Sequence, residues 1–283
     1  MSGTRTFAPG FFLLACSALA GAQEPSLPEG NAYVRSVLSG GRPQDAAIND
    51  YSYDVEETRE RLDGAGKATS RESKRYEVYF VHARPVRRLV SRNGVALGQK
   101  EQAEVDAKAA SLAKAIADGR TVSELPGVRL GSLLDSFDFK TVGRESRNGR
   151  ATLVLDFLPR EDAPRSPSSG RASEAVTKIL TGRLEIDEAD KRVVRLEAHN
   201  AAGRNASVAT GVKLGGFELL MEYAPVEDSV WLPRKVMSVA TGRAFFFRTF
   251  RVRQTTTYSN FRKFKVETDE RRHYDASEDC PWS

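Results

Sequence analysis

Residues 216–268 constrain the fold more than any other stretch of this sequence. They read GFELLMEYAPVEDSVWLPRKVMSVATGRAFFFRTFRVRQTTTYSNFRKFKVET. Phe217, Leu219, Met221 and Tyr223 are apolar, and Glu218 and Glu222 fall between them. Side chains of a strand point alternately to its two faces, so this spacing predicts one buried and one wet face. Residues 224–229 carry a proline and two acids and suit a turn. Trp231 to Ala240 is expected as a second strand, with Pro233 near its start, where a missing N–H is tolerated. Thr241-Gly242-Arg243 is expected to turn. Ala244 to Thr257 and Tyr258 to Thr268 then give a third and a fourth strand. Turns this short force neighbouring strands to run antiparallel.

Upstream, the same grammar repeats. Asn31 to Leu38 places Tyr33, Val34, Val37 and Leu38 at helical spacing before Gly40-Gly41. Residues 48–61 alternate and meet the turn Asp63-Gly64-Ala65-Gly66. In residues 73–83, Tyr76, Val78 and Phe80 alternate with Tyr79 and Val81, so this strand should be covered on both faces. A strand over 86–91 leads to Asn93-Gly94. Residues 98–119 are rich in Ala, Lys, Glu and Gln, and predict a helix with Leu112 and Ile116 on one side. Leu130 to Phe137 predicts another, with Leu130, Leu133, Leu134 and Phe137 on one face. Further strands flank Asn148-Gly149 and residues 188–190, separated by a polar loop over 159–171 and a short helix after it. The chain reads as α+β, mainly antiparallel β, with ten or eleven strands and two or three helices. Nothing between residues 23 and 270 is linker-like enough to divide it, and residues 271–283 form a polar tail.

The first 22 residues resemble a secretion leader, with Arg5, an apolar centre over 11–15 and the small-residue site Ala20-Gly21-Ala22. Cleavage there starts the mature chain at Gln23 and places it in the periplasm. A second reading stays open. Leu13-Leu14-Ala15-Cys16 is similar to a lipobox, apart from Leu14, and would anchor the chain through Cys16. The other cysteine, Cys280, leaves no intrachain disulfide to rely on. The formal charge of +5 is spread through the sequence, with no basic run to track a phosphate backbone, so nucleic acid is not expected as a partner.

Enzymes leave a nucleophile, base or metal cluster, and none stands out. His82, His199 and His273 are far apart and outside any metal-ligand spacing. No cofactor motif is present, and none is expected to be bound. Asp187, Glu188 and Asp190 share a turn, where solvated acids are ordinary and a weak Ca²⁺ site is the alternative. What does stand out is apolar bulk. Phe217, Met221, Trp231, Met237, Phe245 and Phe247 exceed what a thin layer needs. Together with Leu112, Ile116, Leu133, Leu134 and Phe137 they give either a dense core or the lining of a cavity for an acyl chain. Both helices are expected over one face of the sheet, with Phe245, Phe247 and Met237 opposite them.

Three local patterns resemble the LolA/LolB-like superfamily of periplasmic lipoprotein carriers. Val230-Trp231-Leu232-Pro233 is similar to a "W-L-P" that opens a late strand in many outer-membrane lipoprotein-sorting proteins. Tyr258-Ser259-Asn260-Phe261-Arg262-Lys263-Phe264 is similar to their closing "Y-S-x-Y/F-x-x-F". Leu89 to Gly94, followed by a Gln-, Glu- and Lys-rich helix, resembles a segment of bacterial relatives. The resemblance implies an incomplete, strongly curved β-barrel with helices covering its concave face. It also implies a monomeric, non-enzymatic carrier of lipid or lipoprotein acyl chains, with membrane proteins as partners. The alternative it offers is an envelope-stress sensor or adaptor that binds a partner protein. A hydrolase is the third class.

Overall fold

The computed structural model describes residues 26–40, 43–120, 130–161, 171–209, 211–227, 230–245 and 247–264. The leader, Cys16 and the tail over 271–283 lie outside them. Helix α1 (Gly30–Ser39), helix α2 (Gln44–Ala47) and a 3₁₀ turn (Ile48–Asp50) lead into strands β1 (Tyr51–Leu62), β2 (Ala68–Val81), β3 (Arg84–Arg92) and β4 (Val95–Ala96). Helices α3 (Gln99–Ala117) and α4 (Leu130–Leu134) follow, then β5 (Phe137–Arg147) and β6 (Arg150–Pro159). Helix α5 (Arg171–Thr177) precedes β7 (Leu180–Asp187), β8 (Arg192–Asn200) and β9 (Ala206–Ala209). The last strands are β10 (Val212–Glu227), β11 (Val230–Ala244) and β12 (Arg248–Lys263).

All twelve strands belong to one antiparallel sheet, in the order β4-β3-β2-β1-β12-β11-β10-β8-β7-β6-β5, with β9 added beside β10. The sheet stays open, with β4 at one edge and β5 at the other. Its middle joins the two ends of the chain, because β12 lies along β1. The sheet is also coiled. Arg150 on β6 and Trp231 on β11 are four strand spacings apart, about 19 Å in a flat sheet. Yet the Arg150 guanidinium sits 5.6 Å from the indole ring.

The register assigns the two faces. Phe139 lies opposite Phe157, Leu155 opposite Leu184, Leu184 opposite Leu196, Leu196 opposite Met221, and Met221 opposite Val236. Val236 continues through Thr256 to Glu57, whose strand carries Val55 and Tyr53 on the same side, and Tyr53 meets Val78. This continuous face carries α1 and α4, whose Val34, Val37, Leu130 and Leu134 join its buried cluster. The other face bears α3. Tyr79 lies opposite Val86 there, and Ala109 and Ile116 of α3 pack on them. The two-sided apolar pattern of β2 is thus met by two different layers.

Several expectations are corrected. The four late strands are three long ones, of 16, 15 and 16 residues. Thr241-Gly242-Arg243 does not turn but continues β11. Gly242 serves close packing: a Cβ there would lie 2.3 Å from the Lys213 carbonyl oxygen and 2.9 Å from the Phe250 ring. The chain reverses beyond the pair Ala244 and Arg248 instead. Phe137 opens β5 rather than ending a helix, since α4 stops at Leu134. Helix α3 does not share a face with α4. Its polar and apolar sides match the far side of β2 and β3, where Arg88 bonds Asp106 at 3.1 Å and Glu77 at 2.5 Å.

Candidate functional site

The α1 face is built from alternation. Leu153, Leu155 and Phe157 of β6, Leu184 and Ile186 of β7, and Leu196 and Ala198 of β8 form its sealed part. Three helices are fixed over or beside it by side-chain hydrogen bonds. The Glu29 carboxylate accepts the Ala32 and Asn31 amides at 2.6 and 3.0 Å, which holds its carboxyl below the usual carboxylate range and closes the start of α1. Asn31 Oδ1 accepts the Phe139 amide at 2.7 Å, tying α1 to β5. Asp45 in α2 accepts the Leu130 amide at 2.6 Å and so seats α4. The Gln44 amide brackets Val193, donating to its carbonyl and accepting its N–H.

At one end of the strands the apolar layer is closed by a polar cluster. Asp187, whose side chain is 1 % exposed, accepts two bonds from Arg150 at 2.6 and 3.0 Å and the Asp190 amide at 2.8 Å. Arg150 foremost, and then that amide, hold the Asp187 carboxyl below its ordinary range against the opposing effect of burial. Asp190 accepts from Arg150 and from the Trp231 indole N–H, both through Oδ2. Glu188 is held by Arg144 at 2.9 Å. The three acids read as a turn cluster are therefore arginine partners. Among the described residues no group of acids, histidines and cysteines is placed to hold a metal.

The middle of the α1 face is covered less well. Phe217 and Leu219 of β10 and Val236 of β11 pack against the sealed cluster but stay half-buried. At the far end of the same face, α5 and β9 cover Leu214, Ala240 and Phe250. A pocket of about 160 Å³ lies beside Gln44, Tyr51, Val230 and Trp231. A larger groove of about 670 Å³ opens elsewhere and is rimmed by charged and polar side chains, among them Asp138, Lys140, Asp156, Arg183, Glu197 and His199.

The residues expected to line a cavity are sorted into four places. Leu134, Phe137, Met221 and Trp231 are buried together on the α1 face, with Phe217 at their margin. Leu112 and Ile116 pack on the opposite face, under α3. Met237 also faces away, because it pairs with Leu220, one residue out of step with Met221. Phe245 and Phe247 are 65 % and 84 % exposed at the β11–β12 turn. The side chain of Leu133 lies outside the described residues. The parity that fixed Met221 also excluded Met237 once β11 was paired in register. Leu219 and Val236, which join the margin, were missed as site residues although the same alternation marks Leu219.

The sheet overlaps a domain named for outer membrane lipoprotein sorting, from Vibrio parahaemolyticus, over 85 % of this chain and 94 % of that one, at 12 % identity and a TM-score of 0.38. It overlaps a LolA superfamily protein of Nitrosomonas europaea over 85 % and 96 %, at 10 % identity and a TM-score of 0.35. A chain of the MucA/MucB complex of Pseudomonas aeruginosa overlaps over 83 % and 99 %, at 12 % identity and a TM-score of 0.24. No protein-family model matches the sequence, and no curated protein matches it. No helix among the described residues is long and apolar enough to cross a membrane.

Proposed function

We propose that this chain binds lipid or lipoprotein acyl chains on the α1 face in the periplasm, without acting on them chemically. One observation supports this most directly. The apolar cluster under α1 and α4 is sealed over β6 to β8 but not at its margin, a strip where Phe217, Leu219 and Val236 of β10 and β11 pack against it and stay half-buried. An acyl chain laid along that strip completes the layer, at about 0.8 kcal/mol per buried CH₂. The W-L-P and Y-S-x-F patterns point the same way, since Trp231 and Phe261 are apolar anchors beside this layer. The sealed part under α1 holds its own side chains, so the strip and not the centre of the core is the binding surface.

The test is uptake of a fluorescent fatty acid by the native protein and by Leu219→Asp, with circular dichroism to confirm that both are folded. A carboxylate beside hydrocarbon is costly, so uptake should fall at least about tenfold. Phe247→Asp, outside the strip, should keep native uptake. No uptake by the native protein removes the reading.

A second reading, an adaptor that binds a partner protein by strand addition, is favoured by the open edge at β5. Asn31 ties α1 to this strand at Phe139, and Pro28 accepts the Thr141 hydroxyl at 2.8 Å. Beyond a register shift between Thr141 and Gly143, Val142 is 42 % exposed. It stands if native uptake is absent.

A further inference from the structure

The β11–β12 hairpin ends in aromatic rings that stay largely exposed among the described residues. Phe245 and Phe247 are 65 % and 84 % exposed, which is unusual for side chains of this size. The turn is not a frayed end. The Phe245 amide donates to the Gly211 carbonyl at 2.8 Å, and a Cβ on Gly211 would lie 3.5 Å from the Phe245 ring, so the β9–β10 turn braces the tip. Phe245 also sits at φ 51°, a conformation that costs free energy for a bulky residue. The fold thus holds two rings out at a hairpin turn instead of turning them into the core.

The charge around the tip is one-signed. Strands β11 and β12 carry Arg234, Lys235, Arg243, Arg248, Arg251, Arg253, Arg262 and Lys263, and no acid. Away from the tip, three of these bases are matched: Arg253 by Glu60 at 3.2 Å, Arg262 by Asp54 at 3.8 Å and Lys263 by Glu227 at 2.8 Å. Next to the tip they are not. Arg243 lies directly opposite Lys213, and Arg248 opposite Ala244. None of the three has an ion-pair partner among the described residues, and all are exposed. Like charges opposed across strands are unfavourable in water. An anionic surface reverses that sign.

We propose that the β11–β12 tip docks on an anionic phospholipid bilayer, with the Phe245 and Phe247 rings entering the headgroup boundary and Lys213, Arg243 and Arg248 meeting lipid phosphates. Two exposed rings on a turn flanked by three bases, unpaired among the described residues, select this occupant. Two rings on a projecting turn need a fluid surface that closes around them, whereas a folded acidic protein must supply a matching pocket. The docking is independent of whether the α1 face takes an acyl chain.

The experiment is co-flotation of the full-length mature chain with phosphatidylcholine vesicles, with and without about one-third phosphatidylglycerol. The native protein should float with the anionic vesicles only, and should be released at about 0.5 M NaCl, where the screening length falls to a few Å. Phe247→Ser and the pair Arg243→Gln, Arg248→Gln should each weaken binding about tenfold or more, with unchanged circular dichroism and melting. These positions are exposed, so loss of folding does not stand in the way. Arg234→Gln, away from the tip, should bind as the native protein does. Failure of the native protein to float, equal binding by Phe247→Ser, or binding of polyglutamate in place of vesicles overturns the proposal.

Discussion

Two apolar stretches of this chain meet opposite fates. Leu153, Leu155, Leu184, Ile186 and Leu196 on β6 to β8 are sealed completely, while Phe245 and Phe247 on the β11–β12 turn stand in solvent. Hydrophobicity does not separate them. Position along a strand does. The first set recurs at every second residue within central strands, so each side chain meets a neighbour across the ladder. The second set lies where the chain reverses, beyond the last cross-strand pair, Ala244 with Arg248, so neither ring has a partner across a ladder. A sheet buries what its register aligns, and a turn presents its side chains outward.

The comparison is broken most severely by Leu184→Ala. Leu184 lies between Leu155 and Leu196 with no exposure, so the change leaves a cavity that its neighbours cannot fill. We expect a loss of about 2–5 kcal/mol in urea unfolding. A loss under about 1 kcal/mol would mean that this layer is loosely packed and itself a candidate for cargo. Gly182→Ala tests the same layer from the backbone. Its Cβ would lie 1.9 Å from the Glu197 carbonyl oxygen, which is part of β8 and cannot swing aside. Forcing β7 and β8 apart should cost about 1–3 kcal/mol, read in the same unfolding curves.

Asp187→Asn sharpens the boundary between the sealed layer and its polar end. The side chain is buried, and its acceptor role to Arg150 is weakened when the charge is removed. Arg150 keeps Asp190, so the expected loss is moderate, about 1–3 kcal/mol near neutral pH. The sign with pH follows from the depressed folded-state pKa. Stability from the ionised group is fully present above its unfolded value of about 3.9 and is lost as pH falls through the lower folded value. The gap between native and variant urea midpoints should therefore be constant from neutral pH down to about 5 and shrink below about 4. A gap that stays constant into acid would show that Asp187 acts by shape and not by charge.

Much of this architecture is legible in the sequence. Alternation over 217–223 gives a strand with the expected inward set, and Asn148-Gly149 and Asp63-Gly64 mark real hairpins. Gly98 and Gly119 bracket α3 as composition implies. What escapes is long-range. A helix's apolar stripe does not say which side of a distant sheet it will cover, so Leu112 and Ile116 were assigned to the wrong layer. Gly242 resembles a turn residue because a close backbone approach and a turn call for the same amino acid. Adjacent Trp231 and Leu232 point to opposite sides of β11 and are both buried, in two different clusters, which a strand with one wet face does not anticipate. Phe245 and Phe247 could be placed only once the turn was, because moving the reversal by a few residues moves them from a strand to its tip.

The smallest expected effect is that of Phe247→Ser on stability. The ring is 84 % exposed and beyond the last ladder pair, so truncation removes little packing and opens no cavity. Surface changes of this kind stay within about 0.5 kcal/mol. Serine also suits a turn, since its hydroxyl bonds nearby backbone. We therefore expect an unfolding midpoint within error of the native one, and equal fatty-acid uptake, because the site is far along the sheet from Leu219. The contrast with Leu184→Ala then becomes quantitative: one apolar residue holds the fold and the other is spare for another surface. A loss above about 1 kcal/mol in Phe247→Ser would place the ring in a packed contact. That result would erase the difference between the two stretches and take away the surface on which membrane docking rests.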